Sequence, residues 1–331
     1  MKKVLFIGLA ATALLTACSN DTEVASPAKN AISFDGFVNK STRATDLTVD
    51  ELKTKGFGVY GYMDNGHGGI LTNEKVSYAS DWTYSNLAYW TADKDYWFFA
   101  FAPYSGESLY KPFTPNNADD LSEGGKIIFQ NGLGNNDLIF AQATAHCTTP
   151  STMDRVPFTF NHLLSRVKFQ FKNGLNNENA SIEVSLVTVK NATSKAEYNT
   201  KDGKWTATAD ATNGDLPFGS AQIDGGVSIL KTKAGETEHH YMFPDNKQYQ
   251  VTFHVVWKNG TVLAGEWDHT VFLPKTLMES GKSYMFTAEL TSDNINPDDE
   301  LYPILFTVEQ INDWADFTEV PSQIPNTTPE P

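Results

Sequence analysis

Short segments in which apolar and polar residues alternate, separated by Gly, Asn and Asp, recur along most of the chain. A period of two places successive side chains on opposite faces of a strand, whereas a helix repeats its apolar positions every three or four residues. The one clear helical signal is the capping-box spacing of Thr48 and Glu51, which predicts a short helix over residues 48–54. Many short strands with such turns indicate sandwiches or barrels, so the chain is predicted to be all-β.

Three segments carry most of this interpretation. Residues 56–62 alternate between glycine and larger residues and lead into a Gly-rich turn. Residues 96–103 form a dense aromatic run that is too short for a typical helix and ends at a proline, which is typical of a buried strand. Asn259-Gly260 lies between two later apolar segments and is a strong hairpin signal. Strands are therefore expected in both halves of the chain.

The strand pattern also suggests a division into domains. Residues 167–171 alternate cleanly and begin a second set of strands. We predict two tandem β-sandwich domains, residues 44–164 and residues 165–300, with the boundary near Leu164. A chain of 331 residues is long enough to give each domain its own core. Residues 301–331 are predicted to be a C-terminal strand followed by a tail rich in Pro, Thr and Asn.

The first eighteen residues predict export and lipidation. Lys2 and Lys3 precede an apolar stretch, residues 4–15, which is too short for a membrane-spanning helix. Two small residues and Cys18 follow, and this is the pattern that the signal peptidase of bacterial lipoproteins recognises. Residues 1–17 are therefore predicted to be a signal peptide, and Cys18 is predicted to carry the acyl chains that hold the protein on a membrane. An ordinary secretory signal with a chance cysteine is the alternative.

The charge balance argues against two classes of partner. The chain has 40 acidic and 25 basic residues, a net charge of −15, and no run of Lys and Arg. Nucleic acid and anionic lipid surfaces both require clustered basic residues, so neither is an expected electrostatic partner. If Cys18 carries lipid, Cys147 is the single remaining cysteine, and stability must come from packing rather than from a disulfide.

No sequence pattern marks an enzyme. The nucleophile elbow, the phosphate-binding loop and the zinc-binding helix are absent from the sequence. His239-His240 and His146-Cys147 are adjacent pairs, and adjacent side chains of a strand point to opposite faces, which is poor geometry for one metal. Residues 64–66 and 298–300 lack the alternating oxygen ligands of a calcium loop. We predict no enzymatic activity, no metal and no cofactor, although the spatial spacing of a carboxylate pair for glycoside hydrolysis cannot be read from sequence.

Several segments share residue types and spacing with one family. They are the lipidation motif ending at Cys18 and residues 32–34, 42–44, 56–62, 97–103, 137–142, 156–169, 273–274 and 281–284. Together they resemble the fimbrillins, the subunits of the type V pili of gut and oral anaerobes, over most of the chain to about Trp314. The resemblance implies transthyretin-like sandwiches and a lipidated precursor at the cell outer membrane that later joins a surface fimbria.

The resemblance also implies a maturation step. An arginine-specific protease would cut between Arg43 and Ala44 and remove residues 18–43, a tether that contains one strand. The apolar residues of this removable strand are Ile32, Phe34, Phe37 and Val38. The alternative is that Arg43 is an ordinary linker residue and the strand stays in place.

Removal of that strand would leave an apolar groove with unpaired backbone groups, which is a template for an incoming strand. In the family this groove is filled by a neighbouring subunit, and head-to-tail repetition builds a filament. The candidate donor strand begins at Tyr302, and its residues are Tyr302, Ile304, Leu305, Phe306 and Val308. The implied partners are other fimbrial subunits, the arginine-specific protease and outer-membrane lipid. The Pro-rich extension after Phe317 departs from a simple terminal strand.

Two other functions are compatible with the same sequence. A tip or accessory adhesin would use the same fold to bind host or bacterial surface ligands. A monomeric surface lipoprotein could bind glycan through an exposed tryptophan such as Trp82, although aromatic residues at strand spacing are more often part of a core.

Overall fold

A computed structural model describes residues 30–38, 48–64, 68–105, 109–132, 134–211, 213–223, 226–298 and 302–311. Within these residues the chain forms 20 β-strands, one α-helix and two short 3₁₀ turns, which confirms the all-β prediction. The predicted lipidation residue Cys18 and the predicted cleavage residues Arg43 and Ala44 lie outside the described residues.

The elements are numbered along the chain. The strands are β1 (Phe34–Val38), β2 (Phe57–Met63), β3 (Gly68–Tyr78), β4 (Trp82–Thr83), β5 (Lys94–Ala102), β6 (Thr114–Pro115), β7 (Gly125–Gln130), β8 (Ile139–Cys147), β9 (Val156–His162), β10 (Ser165–Asn173), β11 (Ala180–Thr193), β12 (Lys195–Asn199), β13 (Lys204–Ala207), β14 (Asn213–Gly219), β15 (Gly235–Glu236), β16 (His240–Met242), β17 (Gln250–Asn259), β18 (Val262–Phe272), β19 (Ser283–Leu290) and β20 (Phe306–Ile311). The helix α1 spans Val49–Lys55, and the 3₁₀ turns span Leu121–Glu123 and Pro150–Thr152.

The strands form four sheets. The first has the order β1-β9-β8-β5-β2-β3-β4, and the second has the order β13-β12-β7-β6. The third has the order β15-β10-β19-β20, with β16 also paired to β10, and the fourth has the order β14-β11-β17-β18.

The first and second sheets form the N-terminal sandwich. Phe99 of β5 stacks on Phe113 with ring centroids 4.4 Å apart, and Phe140 of β8 lies 5.9 Å from Tyr198 of β12. The opposite face of the first sheet covers a second apolar cluster that contains Phe57. Both faces of this sheet are therefore packed, which explains the dense apolar run of β5.

The third and fourth sheets form the C-terminal sandwich. Phe169 and Phe171 of β10 lie in its core with Phe253 of β17 and Phe306 of β20. The rings of Phe171 and Phe253 are 5.2 Å apart and join the two sheets. The prediction of two β-sandwiches is confirmed.

Strand pairing crosses the predicted boundary near Leu164. The hairpin of β12 and β13 follows that boundary in sequence, yet β12 pairs with β7, and Tyr198 lies opposite Ile127. Ala196 and Tyr198 alternate inward and join the aromatic core of the N-terminal sandwich. By pairing and packing this hairpin belongs to the N-terminal sandwich, so a division at Leu164 does not separate the two sandwiches completely.

The helix forms where the capping box predicts it. The side-chain oxygen of Thr48 accepts a hydrogen bond of 3.2 Å from the backbone N–H of Glu51. Gly56 ends the helix with φ +69°, a left-handed conformation that glycine adopts without strain. Leu52 is the buried residue of the helix, and it faces the strand that opens the first sheet.

Candidate functional site

The candidate site is the edge of the first sheet, where β1 lies. β1 runs parallel to β9, with Phe34 opposite Val156 and Val38 opposite Phe160. Just before β1, the backbone N–H of Ile32 donates to the carbonyl of Ala88 at 2.9 Å. The backbone of residues 30–38 is thus held by two stretches that are distant in sequence.

The side chains of this segment divide between core and solvent. Ile32 and Phe34 are each 1% exposed, whereas Phe37 is 55% exposed and Val38 is half-buried. Phe34 stacks on Phe158 at 5.5 Å and meets Phe98 edge-on at 5.6 Å. Burial of one such aromatic side chain is worth roughly 3 kcal/mol, so Phe34 is a main anchor of the strand.

The floor beneath β1 is tightly packed at Gly36. A Cβ atom on Gly36 would lie 3.2 Å from Leu52 Cδ2, 3.2 Å from Phe57 Cε1 and 3.3 Å from Trp82 Cζ2. Leu52 belongs to α1 and Trp82 to β4, so the helix and the far edge of the curled sheet both reach the same strand. A side chain larger than glycine fits here only if these neighbours shift.

Trp82 is a buried residue, so it is not the exposed tryptophan that the glycan-binding alternative requires. Its indole packs against Phe57 at 5.0 Å and Tyr78 at 5.1 Å, and it is 8% exposed. An aromatic residue on a short strand has here become part of the core because the sheet curls over it.

Arg155 holds β1 from the side. Its guanidinium donates to both carboxylate oxygens of Asp81, at 2.7 and 2.8 Å, and to the carbonyl of Phe34 at 2.7 Å. Its Nε lies 2.8 Å from a carboxylate oxygen of Asp35. These bonds tie the backbone of β1 to the turn before β4, and the turn residue Asp81 orients the guanidinium.

The charges at this clamp perturb each other. The hydrogen bond from Arg155 holds the pKa of Asp81 below its ordinary value, and the bonds to Asp81 raise the pKa of Arg155. Both groups are therefore ionised over the physiological pH range. Arg155 was not predicted from the sequence, because its two acidic partners, Asp35 and Asp81, are 120 and 74 residues away along the chain. The one local signal was the acidic residue Asp35 within the predicted strand.

Tyr84 is a second residue that sequence reasoning missed. Its hydroxyl donates to the carbonyl of Ile32 at 2.8 Å and accepts from the backbone N–H of Ala88 at 3.2 Å. Burial raises the pKa of Tyr84 to about 12, so the phenol remains protonated and able to donate at neutral pH. It fixes the segment that precedes β1.

Removal of residues 30–38 would expose a specific set of groups. Besides the partners of β1 in the β9 ladder, the backbone groups that would lose their partners include the carbonyl of Ala88, the N–H of Trp90 and the N–H of Val156. The Tyr84 hydroxyl and the Arg155 guanidinium would also lose the carbonyls of Ile32 and Phe34. The apolar surfaces of Phe158 and Phe98 would lose the Phe34 ring. Unpaired backbone groups beside an apolar slot are costly in water and favour an incoming strand.

The candidate donor strand lies at another edge. β20 is the last strand of the third sheet and pairs antiparallel with β19, from Ala288 opposite Phe306 to Ser283 opposite Ile311. The structure does not bring β20 and β1 together, because they belong to different sheets.

The side chains of the candidate donor segment also alternate. Ile304 and Phe306 are buried, Val308 packs against the C-terminal core, and Leu305 and Tyr302 are exposed. Phe306 meets Phe169 edge-on at 5.8 Å. In this state β20 completes its own sandwich.

The described residues contain neither a metal-binding cluster nor a membrane-spanning helix. No group of three or more His, Cys, Asp or Glu side chains there could hold a metal ion. No helix in the same part of the chain is both long and apolar enough to cross a membrane. Cys147 is a buried free thiol at the end of β8, and burial raises its pKa.

Both the sequence and the fold of the chain are similar to those of known proteins. A sequence model of the fimbrillin-like family matches residues 42–314. A fimbrial protein from Bacteroides vulgatus is similar in structure, with 21% identity, a TM-score of 0.64, and coverage of 86% of this chain and 100% of that chain. A proposed cell adhesion protein from Bacteroides ovatus shows 16% identity, a TM-score of 0.53, and coverage of 87% of this chain and 99% of that chain. No curated protein sequence matches the chain significantly.

Proposed function

The chain belongs to the fimbrillin-like family, and from this premise we propose that it is a structural subunit of a cell-surface fimbria that polymerises by strand exchange. The precursor is exported, lipidated at Cys18 and held at the outer membrane. An arginine-specific protease then cuts between Arg43 and Ala44. The segment containing β1 leaves, and β20 of another subunit takes its place.

The observation that supports the proposal most directly is the position of β1 at the edge of the first sheet. β1 is an edge strand that covers an aromatic groove, and residues 39–47 are its link to α1. One cut in that link converts β1 into a peptide that is held only by non-covalent contacts. A strand from another molecule can restore the same backbone bonds and refill the same apolar sites, so exchange loses little pairing.

The arginine content supports a selective cut. The chain contains three arginines, Arg43, Arg155 and Arg166. The Arg155 guanidinium is bound to Asp81 and to the backbone of β1. Arg166 is fully buried, and its Nε donates to the hydroxyl of Ser283 at 3.0 Å. Since a protease needs its arginine extended in its own pocket, Arg43 is the favoured site in the folded precursor.

The test is controlled proteolysis of the full chain. Treatment with an arginine-specific protease is expected to give a ladder of oligomers that resists SDS without boiling, built from chains that begin at Ala44. The Arg43→Gln variant serves as the control and should stay monomeric under the same treatment. A wild-type chain that is cut at Arg43 and yet remains monomeric would rule the proposal out.

A tip or accessory subunit is the second candidate, and the docked state of β20 favours it. Phe306 is anchored against Phe169 in its own sandwich, and a chain that keeps it there would accept a strand without donating one. Such a chain would cap filaments of other subunits but never elongate them alone. Adhesion to host or bacterial surface ligands would then be its main role.

A further inference from the structure

The removable strand and the candidate donor strand share an anchor pattern. Ile32 and Phe34 are separated by one residue, and Ile304 and Phe306 repeat the same two residue types at the same spacing. In both segments these two side chains are buried. The residue between them in the donor, Leu305, is 72% exposed.

Only two parallel placements of the tail put large apolar residues into both anchor sites and leave every position that replaces residues 32–38 free of proline. In one placement Ile304 and Phe306 take the sites of Ile32 and Phe34. In the other, Phe306 and Val308 take them, and Glu309 then replaces Asp35 beside Arg155.

The packing favours the first placement. Val308 in the Phe34 site would leave a cavity against Phe158 and Phe98, and Phe306 would overfill the Ile32 site. The second placement gains an ion pair with Arg155, but the Asp35 carboxylate that it replaces is 35% exposed, and ion pairs of that kind contribute little. Arg155 also keeps Asp81 as a partner in either case.

The backbone agrees with the same placement. Pro303 would take the place of Ala31, and the backbone bonds on either side of Ala31 use the carbonyl of Asn30 and the N–H of Ile32. A proline is acceptable at a position whose N–H is not needed. The N–H of Ile304 would donate to Ala88 as that of Ile32 does.

We propose that, in the strand exchange described above, Ile304 and Phe306 of a second copy of this chain occupy the Ile32 and Phe34 sites, with the strand parallel to β9. This inference rests on the proposed function and specifies its register. Phe306 then lies opposite Val156, and Glu309 lies opposite Thr159. The Phe306 carbonyl accepts the Arg155 bond that Phe34 accepts in the precursor.

In this register Val308 meets the residues that pack beneath β1. Val308 takes the place of Gly36, where a Cβ already lies 3.2 Å from Leu52 Cδ2. The branched side chain of Val308 therefore requires the side chains of Leu52, Phe57 and Trp82 to shift. Cleavage at Arg43 detaches α1 from β1, so the helix is then held to the fold through Gly56 and its own packing.

Cysteine pairs test the register, because a disulfide forms only between residues that lie side by side. The acceptor carries Thr159→Cys and is cut with the arginine-specific protease, and the donor carries either Glu309→Cys or Ile311→Cys. Thr159 is exposed and the native Cys147 is buried in every variant. A Thr159→Cys acceptor mixed with wild-type donor measures background.

We expect about tenfold more disulfide-linked pairs with Glu309→Cys than with Ile311→Cys. The reverse preference would establish the placement of Phe306 and Val308 in the anchor sites and overturn this register. If the oligomer ladder forms but neither cysteine pair becomes crosslinked, strand exchange is supported and the parallel register is overturned. Absence of any ladder with the wild-type chain would overturn both the function and the register.

Discussion

At the residue scale, a few side chains decide whether β1 stays seated. Phe34 provides the largest buried contact, and Arg155 provides the polar one through Asp35, Asp81 and the Phe34 carbonyl. Because Phe37 lies three residues further along the same strand and faces solvent, the strand offers its own internal comparison.

Phe34→Ala is expected to lower the free energy of unfolding of the uncleaved chain by about 3 kcal/mol, since it removes a ring from a packed aromatic cluster. The matched control, Phe37→Ala, should change it by less than about 1 kcal/mol, because that side chain is largely exposed. Urea unfolding of both variants measures the difference. Equal losses would mean that the Phe34 site does not hold the strand.

Asp81 makes the clamp dependent on pH. Its pKa in the folded chain lies below the ordinary value of 3.8, so its stabilising effect is complete above that value and is lost as the pH falls through the folded pKa. Asp81→Asn should therefore cost about 0.5 kcal/mol at pH 7, a small value because the carboxylate is half exposed. That cost should be smaller at pH 3 than at pH 7, because the contribution declines as the pH falls below 3.8 towards the lowered folded-state pKa.

Urea midpoints at the two pH values measure this difference, with the exposed Asp298→Asn as the control. A cost for Asp81→Asn that is unchanged at low pH would show that its charge is not what orients Arg155.

Individual residues were only partly predictable from sequence. Alternation identified Ile32 and Phe34 as apolar residues of a strand, and the structure places both in the core. Phe37 belonged to the same predicted set but is exposed, because successive side chains alternate between faces. Val38 shares the face of Phe34 and packs, partly buried, against the same core. Arg155 and Tyr84 were missed, since their partners come from distant parts of the chain and no local pattern records such contacts.

At the element scale, the proposed polymerisation depends on two edge strands. β1 and β20 each end a sheet, and each begins at the second residue of a buried apolar pair, Ile32 and Phe34 for β1 and Ile304 and Phe306 for β20. Short-range alternation and turn residues were sufficient to predict that strands exist. They could not predict which strands pair: the parallel pairing of β1 with β9 and the union of β12 with β7 both join segments that are far apart in sequence.

A peptide corresponding to residues 30–38 tests whether the groove beneath β1 binds that segment on its own. Added in excess to chain cut at Arg43, it should refill the groove and stop oligomer growth, because it restores the backbone bonds to Ala88 and β9. The same peptide with Phe34→Ala should need about a hundredfold higher concentration, as expected when roughly 3 kcal/mol of binding is lost.

Native gel electrophoresis of the cut chain measures this inhibition. If both peptides inhibit equally, or neither does, the groove described here is not the polymerisation surface.

At the scale of the whole molecule, the predicted removable strand lies in the N-terminal sandwich and the candidate donor strand lies in the C-terminal sandwich. The net charge predicted that the chain lacks a basic partner surface. Strand periodicity and turn residues predicted two β-sandwiches, and the structure confirms the two sandwiches. The hairpin of β12 and β13 was not predicted to belong to the N-terminal sandwich. It follows Leu164 in sequence but fills the N-terminal core, because packing rather than chain order decides where an apolar strand is buried.

The central claim is that losing the β1 segment creates the site at which a sister chain binds. Intact mass analysis of subunits extracted from fibres on the cell surface tests it most directly. We expect chains that begin at Ala44, associated as oligomers, with no fragment containing residues 30–38 bound to them. Monomeric surface protein that retains that fragment in its groove would contradict it.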